Sequence, residues 1–213
     1  MGSLLLETIY LPTLENYSYL EARNFSRDLD LKLGFRIEEV EKDILLHSAS
    51  TPWAGLDPQA LQTPYPEIRM MLAKLDLQKG QDVIDLGAGY GRMGLVIAQF
   101  FPENSFIGYE ISPERVREGA RVLHDYKNVH LHLEDISRTD FKIPEVDVYF
   151  IYDFGDLESI IRVIDQLKEI SRKRKIRVVG RGRRTRDHIE RHEPWLSQVF
   201  TPMHCGNFSI YCS

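Results

Sequence analysis

A cluster of glycines directly after a short apolar stretch is the part of this sequence with the clearest chemistry. Residues 82–92 read Asp-Val-Ile-Asp-Leu-Gly-Ala-Gly-Tyr-Gly-Arg, and an apolar segment follows over 94–98. Glycine tolerates positive φ and lets a ligand approach the backbone closely. A strand, a glycine turn and a helix in this order are typical of the nucleotide-binding corner of a doubly wound α/β sheet.

The charge at this corner distinguishes between nucleotides. A dinucleotide rests its pyrophosphate on the helix N-terminus, where backbone N–H groups and the helix dipole favour anions. Asp85 ends the strand beside that position, and its carboxylate would repel a phosphate and attract the ammonium group of a methionine moiety. Arg92 also occupies the place of the third glycine in the dinucleotide fingerprint. We therefore predict S-adenosylmethionine (SAM), and not NAD, as the ligand.

Two further acids stand at the ends of the next predicted strands. Glu110 comes 19 residues after the last glycine of the turn, the length of one helix and one strand, so it is placed to accept hydrogen bonds from both ribose hydroxyls. Ile111 lies beside it and is expected to pack on the adenine face. Asp135 follows the third strand and is placed to accept from the adenine amino group, with Glu134 and Ser137 as the alternatives.

These residues resemble the class I SAM-dependent methyltransferases over residues 62–213. The resemblance implies that the acidic-glycine motif is 85–91, that Glu110 is the ribose acid and that Asp135 is the adenine acid. It also implies that 152–154 (Tyr-Asp-Phe) form the fourth-strand motif beside the transferred methyl group.

A second similarity is to the small protein-lysine methyltransferases of archaeal and mitochondrial type. It rests on a Thr-Pro segment at 62–64 (Gln-Thr-Pro) and on 108–110 (Gly-Tyr-Glu). Tyr90 departs from that subfamily, which has an acid at this place in its glycine turn. The predicted cofactor-binding residues are Asp85, Gly87, Ala88, Gly89, Gly91, Glu110, Ile111, Asp135, Ile136, Gln62 and Thr63.

The predicted catalytic residues are Tyr152 and Asp153. The fourth strand is aromatic, and an aromatic pocket lowers the pKa of an amine by removing it from water. Tyr152 is expected to orient the amine, and Asp153 to accept its proton or to hold it by charge. Nucleobase amino methyltransferases have Pro-Pro-Tyr after the acid or amide at this corner, whereas Phe154 and Gly155 follow here.

The predicted fold is a three-layer, doubly wound α/β sheet of seven strands. The resemblance supplies the strand order 3-2-1-4-5-7-6 with the last strand antiparallel. Five parallel strands are predicted at 82–86, 105–110, 129–133, 147–152 and 175–180, and a closing hairpin at Trp195–Val199 and Asn207–Tyr211. Apolar and polar residues alternate in the third strand, which independently favours a sheet edge and predicts that His130 and His132 face solvent.

Residues 1–61 are predicted to be an N-terminal helical extension and linker, a candidate lid, before a SAM-binding domain at 62–213. Helical periodicity predicts helices over Thr13–Leu33 and Ile37–His47. Four aromatic residues of this part are candidates to line the substrate site: Tyr17, Tyr19, Trp53 and Tyr65.

Composition limits the remaining function classes. The 213 residues suffice for one α/β domain with an appendage, and a net charge of −5 disfavours wholesale binding of nucleic acid. No apolar run approaches the roughly 20 residues of a membrane span. With two cysteines and no signal-peptide pattern, the expected location is the cytoplasm. His188 and His192 have chelating i,i+4 spacing, but no acid or cysteine ligand accompanies them, so no metal site is predicted.

One stretch of the chain is strongly basic although the net charge of the protein is negative. Ten Lys or Arg residues lie between Arg172 and Arg191. An Arg181–Arg186 loop would lie at the ligand-binding edge of the sheet, where RNA, an anionic small molecule or an acidic protein segment would fit. A solvated helix face is the alternative.

These patterns together predict a SAM-dependent N-methyltransferase acting on a protein lysine. RNA or a small molecule is the alternative acceptor. An NAD-dependent oxidoreductase and an inactive SAM-binding protein are the alternatives outside the class.

Overall fold

A single mixed sheet organises the protein. The computed structural model describes residues 17–47 and 56–213. The strands are β1 (Val83–Leu86), β2 (Phe106–Glu110), β3 (Val129–Leu133), β4 (Val148–Tyr152), β5 (Arg177–Arg181), β6 (Met203–Cys205) and β7 (Phe208–Cys212). Their order is β3-β2-β1-β4-β5-β7-β6, with β1 to β5 parallel and β7 antiparallel to both β5 and β6. The predicted order and the antiparallel last strand are confirmed.

Helices cover both faces of this sheet. They are α1 (Tyr19–Leu33), α2 (Ile37–His47), α3 (Tyr65–Leu75), α4 (Arg92–Phe100), α5 (Pro113–Leu123), α6 (Leu157–Ser171) and α7 (Arg183–His192). Side chains of β4 alternate between two cores: Val148 and Phe150 pack with α3 and α4, whereas Tyr149 and Ile151 pack with α6 and α7. A parallel sheet that is buried on both faces has this pattern, and the predicted three layers are confirmed.

The predicted edge strand is also confirmed. Within the described ranges, β3 pairs only with β2, and His130 and His132 are exposed. The connection from β3 to β4 contains no helix. The strand alternation therefore identified the edge correctly, because a strand at an edge can leave one face in water.

The predicted hairpin at the C-terminus is wrong in its first strand. Trp195–Val199 does not form a strand; the chain makes a 3-10 turn at Pro194–Leu196, and the strand paired with β7 is β6, farther along the chain. Proline has no N–H to donate to a strand ladder, which favours the turn. Leu196 is fully buried and the Trp195 indole donates to the Glu193 carboxylate at 2.7 Å, so this segment is fixed against the core.

The first described helix begins later than predicted. Helix α1 starts at Tyr19, and the predicted residues before Tyr17 lie outside the described part of the chain. Ser18 is the N-cap: its hydroxyl accepts from the Glu21 N–H at 3.3 Å, and the Glu21 carboxylate accepts from the Ser18 N–H at 2.8 Å. This capping box satisfies two backbone donors and defines the helix start.

Buried ion pairs attach α1 and α2 to the rest of the fold. Arg92, at the start of α4, pairs with Asp30 of α1, and both side chains are 3% exposed. The Tyr65 hydroxyl donates to the same Asp30 carboxylate at 2.9 Å. Arg115 of α5 makes a bidentate pair with Glu41 of α2 at 2.8 and 3.1 Å. The domain boundary at 61/62 and the lid role of the extension stay predictions.

No helix among residues 17–47 and 56–213 is long and apolar enough to cross a membrane.

Loss of the α1 ion pair should destabilise the protein strongly. In Asp30→Asn the Arg92 guanidinium stays buried without its counter-charge, which typically costs about 3–5 kcal/mol of unfolding free energy. Urea unfolding followed by circular dichroism measures this loss. Arg138→Ala is the matched control, because it removes an exposed ion pair with Asp140 and should change the midpoint little. Equal urea midpoints for the two variants would contradict a larger stability contribution from the buried pair than from the exposed pair.

Candidate active site

The glycine turn is held against β2 by its own backbone. The N–H groups of Gly87 and Ala88 both donate to the Tyr109 carbonyl, at 3.0 and 2.8 Å. Gly91 caps α4 with φ +81°, and a Cβ there would lie 2.8 Å from Leu123 Cδ1. Glycine is therefore required at this position for both its backbone angle and its lack of volume.

Asp85 is the acid that faces the cavity beneath this turn. The cavity, which we name the inner cavity, has apolar side chains in its lining together with Asp85, Gly87, Ala88, Gln62, Thr63, Tyr152 and two arginines, Arg92 and Arg181. No described residue donates a hydrogen bond to the Asp85 carboxylate. Burial, and secondly the neighbouring Glu110 carboxylate, raise the pKa of Asp85 to about 7. A carboxylate without a partner in such a place fits a cationic ligand group and disfavours a phosphate.

Glu110 joins the turn to the next helix. Its carboxylate accepts from the Gly89 N–H at 2.9 Å and from the Ser112 N–H at 3.0 Å, and it is 6% exposed. A carboxylate has about four lone-pair sites, so acceptor capacity remains for ribose hydroxyls. Ile111 is 48% exposed beside it. Leu133, which the sequence reasoning did not select, is the β3 partner of Glu110 and is 55% exposed, so two apolar side chains flank the predicted adenine position.

Asp135 is partly engaged at the end of β3. One of its oxygens accepts from both the N–H and the hydroxyl of Ser137, at 2.9 and 2.5 Å, which leaves the other oxygen for an amino group. The Ile136 side chain is buried in the core that α6 covers. Glu134, an alternative to Asp135, uses its own N–H to bond the Glu110 carbonyl at 2.9 Å.

Gln62 and Thr63 close the turn from the N-terminal side. A Cβ on Gly89 would lie 2.7 Å from the Gln62 side-chain oxygen, so this amide rests directly on the turn. The Thr63 carbonyl accepts from Arg92 at 3.3 Å. The predicted cofactor-binding residues around β1 and β2 are thus brought together. Arg92 was noted in the sequence only because it replaces a glycine of the dinucleotide fingerprint; in the structure it holds the Gln62–Thr63 segment in place.

Tyr152 and Arg181 form a wall between two spaces. Both residues line the inner cavity, and both also line a wider opening, the outer cleft, which includes Tyr19, Arg183, Asp187 and Glu190. The Arg181 guanidinium lies 4.1 Å from the centre of the Tyr152 ring. It also donates twice to the buried Glu67 carboxylate, at 3.0 and 3.1 Å, and to the Tyr19 hydroxyl at 3.0 Å.

Asp153 caps helix α7. Its carboxylate accepts from the backbone N–H groups of Arg184 and Thr185, at 3.1 and 2.9 Å, and from the Thr185 hydroxyl at 2.9 Å. Gly182 makes this contact feasible, since it has φ +87° and a Cβ there would collide with the Asp153 carboxylate. The negative charge also offsets a helix N-terminus that contains arginines and no acid. The role of Asp153 as a proton acceptor stays a prediction. In the structure, the same carboxylate caps α7.

The Arg181–Arg186 segment is not a loop, contrary to the sequence interpretation. Arg181 is the last residue of β5 and is 5% exposed, while the following arginines stand in the first turns of α7. Arg183 faces Asp187 at 3.4 Å, Arg184 donates to the Gly155 carbonyl at 3.2 Å and Arg186 to the Gly206 carbonyl at 2.6 Å. The charges were visible in the sequence, but their partners come from distant segments.

The remaining predicted side chains divide between the site and the core. Tyr19 lies at the outer cleft, whereas Tyr65 is fully buried and Tyr17 packs edge-on against Phe25 at 6.0 Å. Trp53 lies outside the described residues. The rings of His188 and His192 are 5.1 Å apart. Within 17–47 and 56–213, no group of three or more His, Cys, Asp or Glu side chains is arranged to hold a metal ion.

The sheet order, the glycine turn and the acids at the ends of β1 and β2 define a class I SAM-dependent methyltransferase. Comparison with known protein families agrees: a family model described as a methyltransferase domain matches residues 77–194, more than half of the chain. The chain belongs to this methyltransferase-domain family, and its cofactor is SAM. The NAD alternative is thereby set aside.

Solved structures support the fold. An RNA methyltransferase from Salinibacter ruber in complex with S-adenosyl-L-homocysteine is 20% identical, with 71% of this chain and 91% of that chain covered and a TM-score of 0.52. A SAM-dependent methyltransferase from Aquifex aeolicus is 14% identical, covering 84% and 98%, with a TM-score of 0.51.

A third match is partial. For YcgJ from Bacillus subtilis, the alignment covers 54% of this chain and half (50%) of that chain, at 19% identity and a TM-score of 0.42. No curated protein sequence matches this chain.

Replacement of Asp85 should separate ligand binding from stability. Asp85→Asn removes the charge that faces the inner cavity, so the affinity for S-adenosylhomocysteine (SAH) should fall about 10–100-fold by calorimetry. The wild-type affinity should weaken as the pH falls below about 7, where Asp85 takes up a proton. The affinity of the variant should not change over this range.

The same variant tests how much unfolding free energy the protein loses by burying the Asp85 carboxylate. Because the pKa of Asp85 is raised in the folded protein, the folded state holds a proton that the unfolded state releases, and stability is lost as the pH rises from about 4 to about 7. The ligand-free Asn variant should match the wild type near pH 4 and exceed it at pH 8, by at most about 4 kcal/mol. A variant that is less stable at pH 8 would refute this account.

Proposed function

We propose that this protein transfers a methyl group from SAM to a nitrogen atom, with the side chain of a protein lysine as the acceptor. The observation that carries the proposal is the wall formed by Tyr152 and Arg181, which lines both the inner cavity next to Asp85 and the outer cleft. A donor held on the glycine turn and an acceptor entering by the outer cleft would meet at this wall.

The residues present fit the cofactor. Asp85 has a free carboxylate for the ammonium group, Glu110 retains acceptor capacity for the ribose, and Ile111 and Leu133 offer apolar surface for the adenine. Asp135 has one oxygen outside its contacts with Ser137. Bound there, SAM supplies an electrophilic methyl group on a sulfonium.

The protein's own contribution is mainly orientation. Methyl transfer from a sulfonium is an in-line displacement, and correct placement of two reactants is worth about 7–11 kcal/mol. The acceptor must also be neutral: an unperturbed lysine with a pKa near 10.4 costs roughly 4.6 kcal/mol to deprotonate at pH 7. Tyr152 has no hydrogen bond to a described residue through its hydroxyl, which is therefore available to orient the amine, and its ring helps to exclude water.

An acid of the outer cleft supports an amine acceptor. Glu190 offers a carboxylate that attracts an approaching ammonium group, and the charge of Arg181 is balanced by the buried Glu67. Asp187 already faces Arg183 at 3.4 Å, and Arg186 donates to a neutral backbone carbonyl and keeps its positive charge. RNA or an anionic small molecule is the alternative acceptor, and the exposed Arg183 is the observation that favours it.

We also propose a cytoplasmic location, on the basis of two free cysteines, Cys205 and Cys212.

Transfer of a radiolabelled methyl group identifies the acceptor class. The full chain is incubated with methyl-labelled SAM and with separated protein, RNA and metabolite fractions. We expect label in protein, released as methylated lysine after acid hydrolysis. Label confined to RNA or to metabolites would replace lysine with that acceptor. An inactive SAM-binding protein would bind SAH but leave all fractions unlabelled.

The role of Asp153 can be tested with a matched pair of variants. Asp153→Asn removes the charge, whereas Thr185→Val removes one hydrogen bond to Asp153 and leaves its charge in place. If Asp153 accepts the amine proton, Asp153→Asn should lower kcat about 100-fold or more with little change in SAH affinity. Thr185→Val should lower kcat only a few-fold. Equal losses of kcat and Tm in the two variants would limit Asp153 to capping α7.

A further inference from the structure

We propose that Arg181 binds the carboxylate of the methionine moiety of SAM, across the inner cavity from the ammonium group that Asp85 would hold. This inference rests on the proposed contact between Asp85 and that ammonium group. It concerns the cofactor alone, so it holds whether the acceptor is a lysine, RNA or a small molecule. Arg181 would then have a task in cofactor binding in addition to its place in the wall with Tyr152.

The register of the sheet places Asp85 and Arg181 on the same face. Asp85 of β1 pairs with Phe150 of β4, which pairs in turn with Val179 of β5. Residues i and i+2 of a strand share a face, so Arg181, two residues after Val179, points to the same side as Asp85. Two strand spacings of about 4.8 Å and two residue steps of about 3.3 Å separate their Cα atoms by about 12 Å. Both residues line the inner cavity, so a ligand group with two opposite charges can lie between them.

The guanidinium of Arg181 has donors left for a ligand. Of its five N–H groups, Nε and Nη2 donate to the two oxygens of Glu67, at 3.1 and 3.0 Å, and Nη2 also donates to the Tyr19 hydroxyl at 3.0 Å. The two N–H groups of Nη1 donate to no residue within 17–47 and 56–213. Glu67 is fully buried and fixes the orientation of the guanidinium, so Nη1 is held ready for an acceptor such as a carboxylate.

The other arginine of the inner cavity has less capacity. Arg92 donates through Nε and Nη2 to Asp30, through Nη2 to Gln59 at 2.6 Å and through Nη1 to the Thr63 carbonyl at 3.3 Å. Four of its five N–H groups are thus used within the described part of the chain. Because Arg181 retains two donors on one nitrogen, it fits a carboxylate better than Arg92 does.

The charges of the inner cavity also match the whole methionine end. Arg181 with Glu67 and Arg92 with Asp30 are balanced pairs, so the ionised Asp85 leaves one net negative charge. The methionine end of SAM carries a sulfonium, an ammonium and a carboxylate, which sum to one positive charge. Because Glu67 balances Arg181, the guanidinium repels these cations little, while its N–H groups still attract the carboxylate.

The test compares two ligands that differ only in the carboxylate. SAH and its decarboxylated analogue, which keeps the amine, are titrated into the full chain by calorimetry at pH 8, where Asp85 is ionised. The wild type should bind SAH about 10–100-fold more tightly than the analogue, since hydrogen bonds to a charged group are strong. In Arg181→Lys, which keeps a positive charge beside Glu67 but loses the Nη1 donors, this ratio should fall about tenfold. A ratio in Arg181→Lys equal to that of the wild type overturns the inference.

A double variant keeps the test decisive if Arg181→Lys does not fold. Arg181→Gln combined with Glu67→Gln removes both buried charges together and leaves polar side chains at both positions. Its affinity ratio should also fall about tenfold. Retention of the wild-type ratio in this double variant refutes the assignment of Arg181.

Glu67→Gln alone is the matched control. It weakens the same ion pair and the same wall but leaves the Arg181 guanidinium in place. Because Arg181 then has no balancing charge from Glu67, it should attract the carboxylate more strongly, and the ratio should rise. An equal fall of the ratio in Glu67→Gln and Arg181→Lys would reduce Arg181 to a structural contact and overturn the inference.

Asp85→Asn distinguishes the inference from the proposal on which it rests. If Asp85→Asn weakens both ligands alike while the Arg181 variants keep the wild-type ratio, the ammonium contact stands and only the role of Arg181 is refuted. If Asp85→Asn leaves both affinities unchanged, the placement of the methionine end beside Asp85 fails, and the role of Arg181 across the cavity fails with it.

Discussion

Three buried arginines at the carboxyl edge of the sheet determine how the rest of the chain is arranged. Each is paired with a carboxylate from one of the first three helices: Arg92 with Asp30 of α1, Arg115 with Glu41 of α2, and Arg181 with Glu67 of α3. A buried ion pair adds little net stability, because its desolvation offsets its attraction, but removal of one partner is costly. The pairs therefore fix the position of the helices over the sheet more than they strengthen the fold.

Asp85 differs from these paired groups. It lies at the same edge, next to the Glu110 carboxylate, and no described residue bonds to it. Its raised pKa expresses the cost of an anion held away from water beside another anion. The cationic cofactor group proposed to bind Asp85 would offset this cost. Under that proposal, the site is complementary to its ligand at the expense of the stability of the ligand-free protein.

The two catalytic candidates, Tyr152 and Asp153, both contact other parts of the protein. Tyr152 is stacked under the Arg181 guanidinium, and Asp153 holds the N-terminus of α7. Both catalytic candidates therefore also contribute to the scaffold. The outer cleft mixes the acids Asp187 and Glu190 with the arginines Arg181, Arg183 and Arg186, and the proposal of an amine acceptor rests on those acids.

Local patterns were sufficient for the five parallel strands and the cofactor. The apolar strand, the glycines and Asp85 lie within a few residues of each other, so their chemistry is visible without a fold, and the alternation in β3 indicated the edge. The similarity to a known class supplied the strand order. The C-terminal hairpin was misplaced because a short apolar segment beginning with Trp195 has no period that separates a strand from a buried turn.

The pairing of charges was decided only by the tertiary structure. Asp30 and Arg92 are 62 residues apart in sequence, Glu41 and Arg115 are 74 apart, and Glu67 and Arg181 are 114 apart. Nothing in a local pattern distinguishes a solvated arginine from one that is buried with a distant acid. The sequence by itself thus determined the methyl donor, through one compact motif. The fold decided which arginines are free for an acceptor and which helices support the site, because burial and long-range pairing exist only once the chain has folded.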